Sequence, residues 1–338
     1  MTRNNRFPAD DGQRASSLAR PRAGLALVIA LFVLLAGLYS VIVPPFETPD
    51  EIWHFAFIQH LAEGRGLPVS APHTQALWRQ QGVQAPGYYL AAAALTAVID
   101  QGDFPALYAR ANPHAAVGQP GATANRNYLI HHADEGWPWR GAILALHLAR
   151  LFSVFLGAVT LWATYRALAL ITAPRWALLG AALVGFIPQF IFISAAASND
   201  NAINALAALV LWRLVALLVA PPEPKFPRKA CGSAFALGCL LGLALLAKLS
   251  ALALLALTGL TLLLAAWRAR SWRVLIRSSL AVGLPALAIA GWWYARNWAL
   301  YRDPLAWNIW QANILLRVLP AGWGTVVNAA GGASEPAE

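Results

Sequence analysis

Residues 24–54 read GLALVIALFVLLAGLYSVIVPPFETPDEIWH, an unbroken apolar run followed by two prolines and a group of ionisable side chains. The apolar run supplies about the 20 residues that a helix needs to cross a bilayer. The two prolines end that helix, because proline has no backbone N–H and its ring clashes with the preceding turn. Asp50, Glu51 and His54 then stand where the chain leaves the lipid. Ionisable groups at such a boundary are candidates for function.

The residues around Asp50 also carry the signals of a helix start. Thr48 can serve as the N-cap and Glu51 can complete a capping box, so we predict a helix over residues 49–63. Its mixture of apolar and polar residues is typical of an amphipathic helix that lies on the membrane surface. Asp50 and His54 are four residues apart and share a face of that helix. Capping and chemistry both remain open for these side chains, because the same carboxylates suit either role.

The composition is that of a membrane protein. Hydrophobic residues make up 59% of the 338 residues, charged residues make up only 12%, and there are 15 tryptophans. The net charge of +10 does not indicate nucleic acid as a partner, because the basic residues lie in short loops between apolar runs and form no single patch. The two cysteines form neither a disulfide framework nor a zinc-binding pattern. We therefore predict an all-α polytopic membrane protein.

The apolar runs predict about seven transmembrane helices. They lie near residues 24–43, 143–170, 176–196, 202–220, 232–248, 250–267 and 277–295. As one helix, the run from Cys231 to Trp267 would be about 55 Å long, which exceeds a hydrocarbon core of about 30 Å. We therefore predict two spans there, with Lys248, the only charge in the run, at the turn. Residues 88–99 are apolar but too short to cross, which predicts an interfacial or re-entrant helix.

The basic residues set the predicted orientation. With the N-terminus in the cytoplasm, more than half of the 25 lysines and arginines lie in cytoplasmic segments, as the positive-inside rule requires. Residues 1–23 are then a disordered cytoplasmic tail, 24–320 the transmembrane domain with an external loop at 44–142, and 321–338 a flexible C-terminal tail. The Ala-, Arg- and Leu-rich composition indicates a bacterium, so we expect a multi-pass protein of the plasma membrane.

This topology gathers one set of polar side chains on the outer face. They are Asp50, Glu51, His54, His131, His132, Asp134, Glu135, Asn199, Asp200, Asn201, Lys248, Arg296 and Asp303. The cytoplasmic loops hold almost nothing but basic residues and prolines. Any chemistry is therefore expected on the external face.

Two subsets of these residues allow more than one interpretation. His131, His132, Asp134 and Glu135 are ligand types that suit zinc or manganese, and they equally suit an interfacial, Trp-rich loop. A divalent metal ion is the one cofactor that the residues suggest, and none is required. Asp200, flanked by two asparagines, is either a binding residue or the cap of the next helix.

Several short motifs follow one another in the order, and on the side of the membrane, that one superfamily shows. They are Pro49-Asp50-Glu51 after the first span, QAPGYYL from Gln84, RLFS from Arg150, Asn199-Asp200, Lys248, Arg296-Asn297 and YRDPL from Tyr301. On these residues the chain resembles the membrane glycosyltransferases of the C-type (GT-C) fold. That superfamily includes the protein O-mannosyltransferases, the aminoarabinose transferases and bacterial membrane proteins similar to glycosyltransferase family 39.

The chain departs from the pattern of that superfamily in two places. Ala85 stands where relatives often carry a second proline. Relatives usually have further spans and often a soluble C-terminal domain, which this sequence does not contain. We expect either a shortened form or a piece of a longer protein.

The resemblance implies transfer of a sugar from a polyprenyl-phosphate donor to an external glycan, lipid or protein acceptor. It implies that Asp50 acts as general base and that Glu51 or His54 orients it. Lys248 and Arg296 would hold the donor phosphate as it leaves. The remaining implied substrate-binding residues are Arg150, Asn199 and Asp200.

Two other classes of protein remain as alternatives. A non-catalytic transporter or flippase of lipid-linked sugars needs a path through the bilayer midplane, where the predicted spans hold few charged residues. A membrane scaffold does not account for acids and cations gathered on one face. In all three cases the partners are the bilayer and molecules at its surface, and none is a nucleic acid.

Overall fold

The structure, a computed structural model, describes residues 11–113, 115, 127–222 and 228–315. Within these residues the chain is helical and forms no strand, apart from an isolated antiparallel bridge between Ala111 and Leu129. Six helices of the described residues are long and apolar enough to cross a membrane, and one bent pair of shorter helices meets the same criteria when its two members are taken together. The predicted all-α polytopic class is confirmed.

Twelve α-helices occur in the described part of the chain. They are α1 (Asp11–Ile42), α2 (Glu51–Ala62), α3 (Gly87–Thr96), α4 (Phe104–Tyr108), α5 (Gly141–Leu168), α6 (Pro174–Gly185), α7 (Pro188–Ser194), α8 (Asp200–Val219), α9 (Arg228–Ala247), α10 (Leu252–Arg268), α11 (Trp272–Tyr301) and α12 (Trp307–Leu315). Three short 3-10 helices cover Arg79–Val83, Ala133–Glu135 and Leu249–Ala251. The spans are α1, α5, the pair α6–α7, α8, α9, α10 and α11.

The third predicted span is broken in the structure. α6 and α7 meet at a bend of 66°. Ile187 directly precedes Pro188, and a residue in that position is driven out of the helical conformation, here to φ −65° and ψ 119°. The predicted single helix is therefore two half-helices, the second of which leads into the turn before α8.

The first helix begins earlier than its apolar run. α1 starts at Asp11, so residues 11–23 are helical, in contrast to the predicted disordered tail. These residues include Ala, Leu, Arg and Gln, which are strong helix formers, and the apolar helix that follows removes the cost of nucleation. Residues 1–10 and the predicted C-terminal tail at 321–338 lie outside the described residues.

The long apolar run between Cys231 and Trp267 is broken at Lys248, as predicted. α9 ends at Ala247, Lys248 is extended with φ −160° and ψ 148°, and a 3-10 turn leads into α10. α9 has 20 residues and α10 has 17. Each helix is thus about as long as a hydrocarbon core is thick, roughly 30 Å.

The spans pack through close helix contacts. α5 contacts α1, α6, α7 and α8, and α8 in turn contacts α9 and α10. α9 packs against α11 through glycines: a Cβ at Gly238 would lie 2.2 Å from the carbonyl oxygen of Val282, and one at Gly242 would lie 3.1 Å from the Cα of Ala286. Because the two glycines are four residues apart on one face of α9, they let α11 approach closely.

The loop between α1 and α5 folds over one end of the bundle. The rings of Phe46, Phe55 and Phe104 form an aromatic cluster with centroids 5.1 to 5.6 Å apart. The loop also reaches the end of α11, since the N–H of Ser70 donates to the Tyr301 hydroxyl at 3.1 Å. α3, with 10 residues, matches the predicted helix that is too short to span.

α2 is buried, so the predicted amphipathic helix on the membrane surface is wrong. Every residue from Glu51 to Gln59 is buried, and α3 and the 3-10 helix Arg79–Val83 pack against the helix. A helix that is apolar on all sides is buried. α2 itself carries apolar side chains on several sides, namely those of Ile52, Trp53, Phe55, Ala56, Phe57 and Ile58.

A fully buried ion pair fastens the start of α2 to α5. Arg150 donates from Nε to Glu51 Oε1 at 2.8 Å and from Nη2 to Glu51 Oε2 at 2.6 Å, and neither side chain is exposed. Nη1 donates to the carbonyl oxygens of Ser40 and Val43, both at 2.8 Å, and Nη2 donates to that of Pro44 at 3.0 Å. These three carbonyls stand at the end of α1, where a helix leaves carbonyls without helical partners.

The Glu51 carboxylate accepts further hydrogen bonds from the backbone. The N–H of Phe46 donates to Oε2 at 3.1 Å and the N–H of Ala197 donates to Oε1 at 2.8 Å. Burial by itself would raise the pKa of Glu51, but the charge and hydrogen bonds of Arg150 outweigh burial and hold that pKa below its ordinary value. One carboxylate thus joins the end of α1, the start of α2, α5 and the turn between α7 and α8.

This ion pair corrects three expectations. The N-cap of α2 is Asp50, without a side-chain cap bond, so the predicted capping box of Thr48 and Glu51 does not form. Both carboxylate oxygens of Glu51 accept hydrogen bonds inside the protein. Glu51 therefore has a structural role, in contrast to the predicted role of orienting a catalytic base. Arg150 has no exposed surface with which to bind substrate, and its charge is fully engaged because a buried charge requires a partner.

Breaking the buried pair should destabilise the fold. We expect Glu51→Gln and Arg150→Met each to lower the free energy of unfolding by about 3–5 kcal/mol, because each leaves one charge buried without its partner. The double variant should recover part of that loss. Thermal unfolding in detergent measures the effect. The control is Arg65→Gln, which breaks the exposed pair of Arg65 with Glu63. Single variants that unfold like this control would contradict the structural role.

The predicted orientation can be tested with single cysteines in a variant that carries Cys231→Ser and Cys239→Ala. Gln75→Cys, in the long loop, should react with an impermeant thiol reagent from outside intact cells. Thr172→Cys, in the α5–α6 connection, and Arg273→Cys, at the start of α11, should react only after solubilisation, because the predicted topology places them on the cytoplasmic side. All three positions are exposed in the structure, so the reagent can reach each of them from its own side. Labelling of the latter two in intact cells would invert the orientation.

Candidate functional site

Asp50 stands at the surface at the start of α2, beside the buried Glu51. Its backbone has φ 59° and ψ 1°, a left-handed conformation that is uncommon outside glycine and that aspartate adopts more readily than most residues. Its carbonyl oxygen accepts hydrogen bonds from the N–H groups of Trp53 and His54, each at 3.0 Å. Its carboxylate accepts one from Gln81 Nε2 at 3.4 Å. The backbone thus presents this carboxylate outward at a defined position.

Three side-chain amides link Asp50 to the start of α8. Gln84 Nε2 donates to Gln81 Oε1 at 2.6 Å, and Asn199 Nδ2 donates to Gln84 Oε1 at 2.7 Å. Asn199 Nδ2 also lies 3.3 Å from the carbonyl oxygen of Ala247, the last residue of α9. Gln81 and Asn199 are buried, so this chain of amides is part of the packed structure.

Asp200 and Lys248 form an ion pair beside this amide chain. Lys248 Nζ lies 2.5 Å from Asp200 Oδ1, and the two side chains are 30% and 40% exposed, respectively. The Ser198 hydroxyl donates to the other carboxylate oxygen of Asp200 at 3.2 Å. An ion pair this accessible to water contributes only about 0–1 kcal/mol, so either partner can exchange it for a ligand.

An aromatic cavity opens next to Lys248. Its volume is about 190 Å³, and Gln84 and Lys248 are among the polar residues in its wall. The rings of Trp307 and Trp310 are stacked with centroids 4.9 Å apart, and both residues line the cavity together with Trp293. Sequence reasoning missed Gln81 and these α12 tryptophans. A pair of tryptophans three residues apart was a signal for one aromatic face.

His54 lies beneath the site. Its Nδ1 is 2.7 Å from the hydroxyl of Tyr89, and their rings are stacked with centroids 5.7 Å apart. Burial lowers the pKa of His54 to about 4, and the positive charge of Lys248 acts in the same direction, whereas Asp200 opposes it. His54 is therefore neutral at physiological pH. It shares a helix end with Asp50, as predicted, but its ring is only 4% exposed and packs inward.

Arg296 and Asp303, predicted on the same face, make local contacts. Arg296 Nη2 donates to the carbonyl oxygens of Pro68 at 2.7 Å and Leu67 at 3.4 Å, and the guanidinium lies 5.2 Å from the ring centroid of Trp293. It thus stands behind a wall of the cavity and braces the long loop. Asp303 accepts hydrogen bonds from the N–H groups of residues 305 and 308, ahead of and within α12.

The predicted metal-binding loop forms a network of ion pairs. His131 Nε2 is 2.9 Å from Glu47 and its Nδ1 is 2.6 Å from Glu135, while Arg110 lies 2.6 Å from Asp134 and 2.9 Å from Glu135. The hydrogen bond to Glu47 and that to Glu135 raise the pKa of His131 above its ordinary value. His132, the fourth predicted ligand, is exposed.

The ion pairs of this loop do not support the predicted metal site. Within the described residues, no group of three or more His, Cys, Asp and Glu side chains is arranged to hold a metal ion. Three of the four predicted ligands form ion pairs instead. Asp134 and Glu135 pair with Arg110, and His131 pairs with Glu47 and Glu135.

The groups at Asp50 and Lys248 are suited to proton abstraction beside a cation. Asp50 provides an exposed carboxylate, Lys248 a partly exposed cation, and the tryptophans an apolar wall. A carboxylate that accepts a proton and a cation that stabilises developing negative charge are the two groups that a transfer to a hydroxyl requires. The structure brings Asp50, Asn199, Asp200 and Lys248 to one region, and it places Glu51, Arg150 and Arg296 behind it.

Comparison with known proteins identifies the fold. No protein-family model matches the chain, and no curated protein matches it in sequence. The chain is similar in structure to a chain of the S. cerevisiae protein O-mannosyltransferase Pmt1–Pmt2 complex, solved bound to the sugar donor, with a TM-score of 0.54 and 16% sequence identity. The match covers 83% of this chain and 34% of that one, so this chain spans about a third of its length. The protein therefore has a fold similar to that part of the O-mannosyltransferase chain.

Proposed function

We propose that the protein is a membrane glycosyltransferase that moves a sugar from a polyprenyl-phosphate donor to an acceptor on the external face. The observation that carries the proposal is the placement of Lys248 and Gln84 at an aromatic cavity, linked through Gln81 to the exposed Asp50. The fold, shared with a complex that binds a sugar donor, supports it. The acceptor is a glycan, lipid or protein at the outer surface.

Lys248 is the proposed partner of the donor phosphate. Its ion pair with Asp200 is partly exposed, so a phosphate oxygen can displace the Asp200 carboxylate at little cost. Lys248 is also held at the end of α9, where the chain leaves the membrane. A lipid-linked phosphate in the outer leaflet would arrive at this height. Arg296 supports the site from behind by bracing the loop and the Trp293 wall.

The aromatic cavity is the proposed place of the sugar. Flat indole rings present apolar faces, and Gln84 and Lys248 present polar atoms at the same opening. Ligand sites generally combine an apolar, aromatic lining with a few placed polar groups. A sugar ring has apolar C–H faces and polar edges, so it meets both kinds of surface here.

Asp50 is the proposed general base. It would take the proton from the acceptor hydroxyl as the acceptor oxygen forms a bond with the anomeric carbon of the sugar. The bond between that carbon and the phosphate oxygen breaks, and its electron pair leaves with the phosphate, where Lys248 stabilises the charge. His54, neutral and buried against Tyr89, supports the helix end from which Asp50 projects.

Removal of the base should abolish transfer without unfolding the protein. We expect Asp50→Asn to reduce turnover by about two orders of magnitude or more, the usual contribution of a general base, because an amide cannot accept the proton. The measurement is sugar transfer by purified protein in nanodiscs, with thermal unfolding measured alongside. Asp100→Asn, another exposed carboxylate of the same loop, is the matched control and should retain activity. Normal turnover by Asp50→Asn would reject Asp50 as the base. Wild-type protein that only moves the lipid-linked sugar across the bilayer would reject the transferase.

Loss of the cation at the cavity should weaken donor binding. We expect Lys248→Met to bind undecaprenyl phosphate on the order of tenfold more weakly, since a hydrogen bond to a charged group contributes about 1.5–3 kcal/mol. Titration of undecaprenyl phosphate against protein in nanodiscs measures the affinity. Arg65→Gln removes another exposed cation of the same face and should leave the affinity unchanged. Equal affinities for the wild-type protein and Lys248→Met would reject the phosphate site.

A further inference from the structure

A second opening lies at the opposite end of α10 from Lys248. It is a groove of about 510 Å³ formed by the last turns of α10, the connection to α11 and the first residue of α11. Leu260, Leu263 and Leu264 form its apolar floor, and all three are exposed. Its volume falls within the range of ligand pockets, which is roughly 300–1,000 Å³. The groove is remote from Asp50, because α10 separates its two ends by the length of a span.

Two tryptophan side chains distinguish the groove from ordinary lipid-facing surface. Trp267 and Trp272 line it on either side of the connection, and each side chain is 74% exposed. Tryptophan concentrates at the boundary between hydrocarbon and headgroups. The two indoles therefore mark the depth at which an acyl chain ends and a headgroup begins.

The rim of the groove carries positive charge. Arg270 lines the groove and sits in a tight turn with φ 48°, which directs the chain from α10 into α11. Arg268, Arg273 and Arg277 lie within the same ten residues. No aspartate or glutamate occurs from residue 224 to residue 302, so this stretch of the sequence adds no acid of its own. Arg268 instead donates to the carbonyl oxygen of Leu218.

We infer that this groove binds one anionic diacyl phospholipid, with an acyl chain along the leucines and the headgroup phosphate at Arg270. The apolar floor fits the chain, the indoles fit the boundary, and Arg270 supplies the positive charge that an anionic headgroup requires. An arginine near an anionic membrane surface contributes about fivefold in affinity. The site is separate from the proposed donor site and does not depend on it.

The test is native mass spectrometry of the purified protein with phosphatidylglycerol and with phosphatidylcholine of the same acyl chains. We expect the wild-type protein to retain phosphatidylglycerol about fivefold better than phosphatidylcholine. Arg270→Gln should lose that preference. Arg175→Gln is the matched control, since Arg175 is another exposed arginine beside a tryptophan, at the start of α6, and it should keep the preference.

A second variant separates the groove from its charge. Leu264→Trp fills the groove with a bulkier apolar side chain and should reduce retention of both lipids while leaving thermal stability unchanged. Equal lipid preference in Arg270→Gln and Arg175→Gln would overturn the inference, because charge at any position would then suffice. Dimers of the wild-type protein that disappear in Leu264→Trp would also overturn it, since the groove would then hold a second copy of the chain.

Discussion

The buried ion pair of Glu51 and Arg150 is the interaction on which the rest of the structure depends. The desolvation of two charges is offset only because the guanidinium contacts Glu51 twice and also satisfies three carbonyls at the end of α1. The Glu51 carboxylate also holds the turn before α8, because it accepts a hydrogen bond from the N–H of Ala197. Asp50, the residue before Glu51, is thereby held at the start of α2, where its side chain is exposed.

The site is assembled from segments that are far apart in the chain. Gln81 and Gln84 come from the long loop, Asn199 from the turn before α8 and Lys248 from the break between α9 and α10. The amides hold these segments in register, so the Asp50 carboxylate is tied to the wall in which Lys248 lines the cavity. The other end of the bundle carries Arg270 beside an apolar groove, which is the site proposed for a lipid. The molecule thus separates a polar, loop-covered end from a cationic end.

Some expectations failed because a sequence pattern does not show which residues are covered. The apolar residues of α2 lie on several sides of the helix, a pattern that is typical of a buried helix. The polar residues between them suggested a surface helix instead. Arg150 has the same chemistry whether it faces substrate or the interior, and only its contacts with Glu51 and the α1 carbonyls distinguish the two. The acids and histidines of the 131–135 loop suit a metal, yet Arg110 and Glu47 occupy them.

The sequence by itself determined the membrane class, the approximate positions of the long apolar helices, the break at Lys248 and Asp50 as an ionisable group at the end of the first of them. It could do so because hydrophobic length and proline act locally, through the thickness of the bilayer and the backbone hydrogen bonds of a helix. Only the tertiary structure decided which charges are buried and which are open. The roles of Glu51, Arg150, Gln81 and Lys248 depend on partners 30 to 100 residues away, and long-range pairing of charges and amides leaves no local mark in a single sequence.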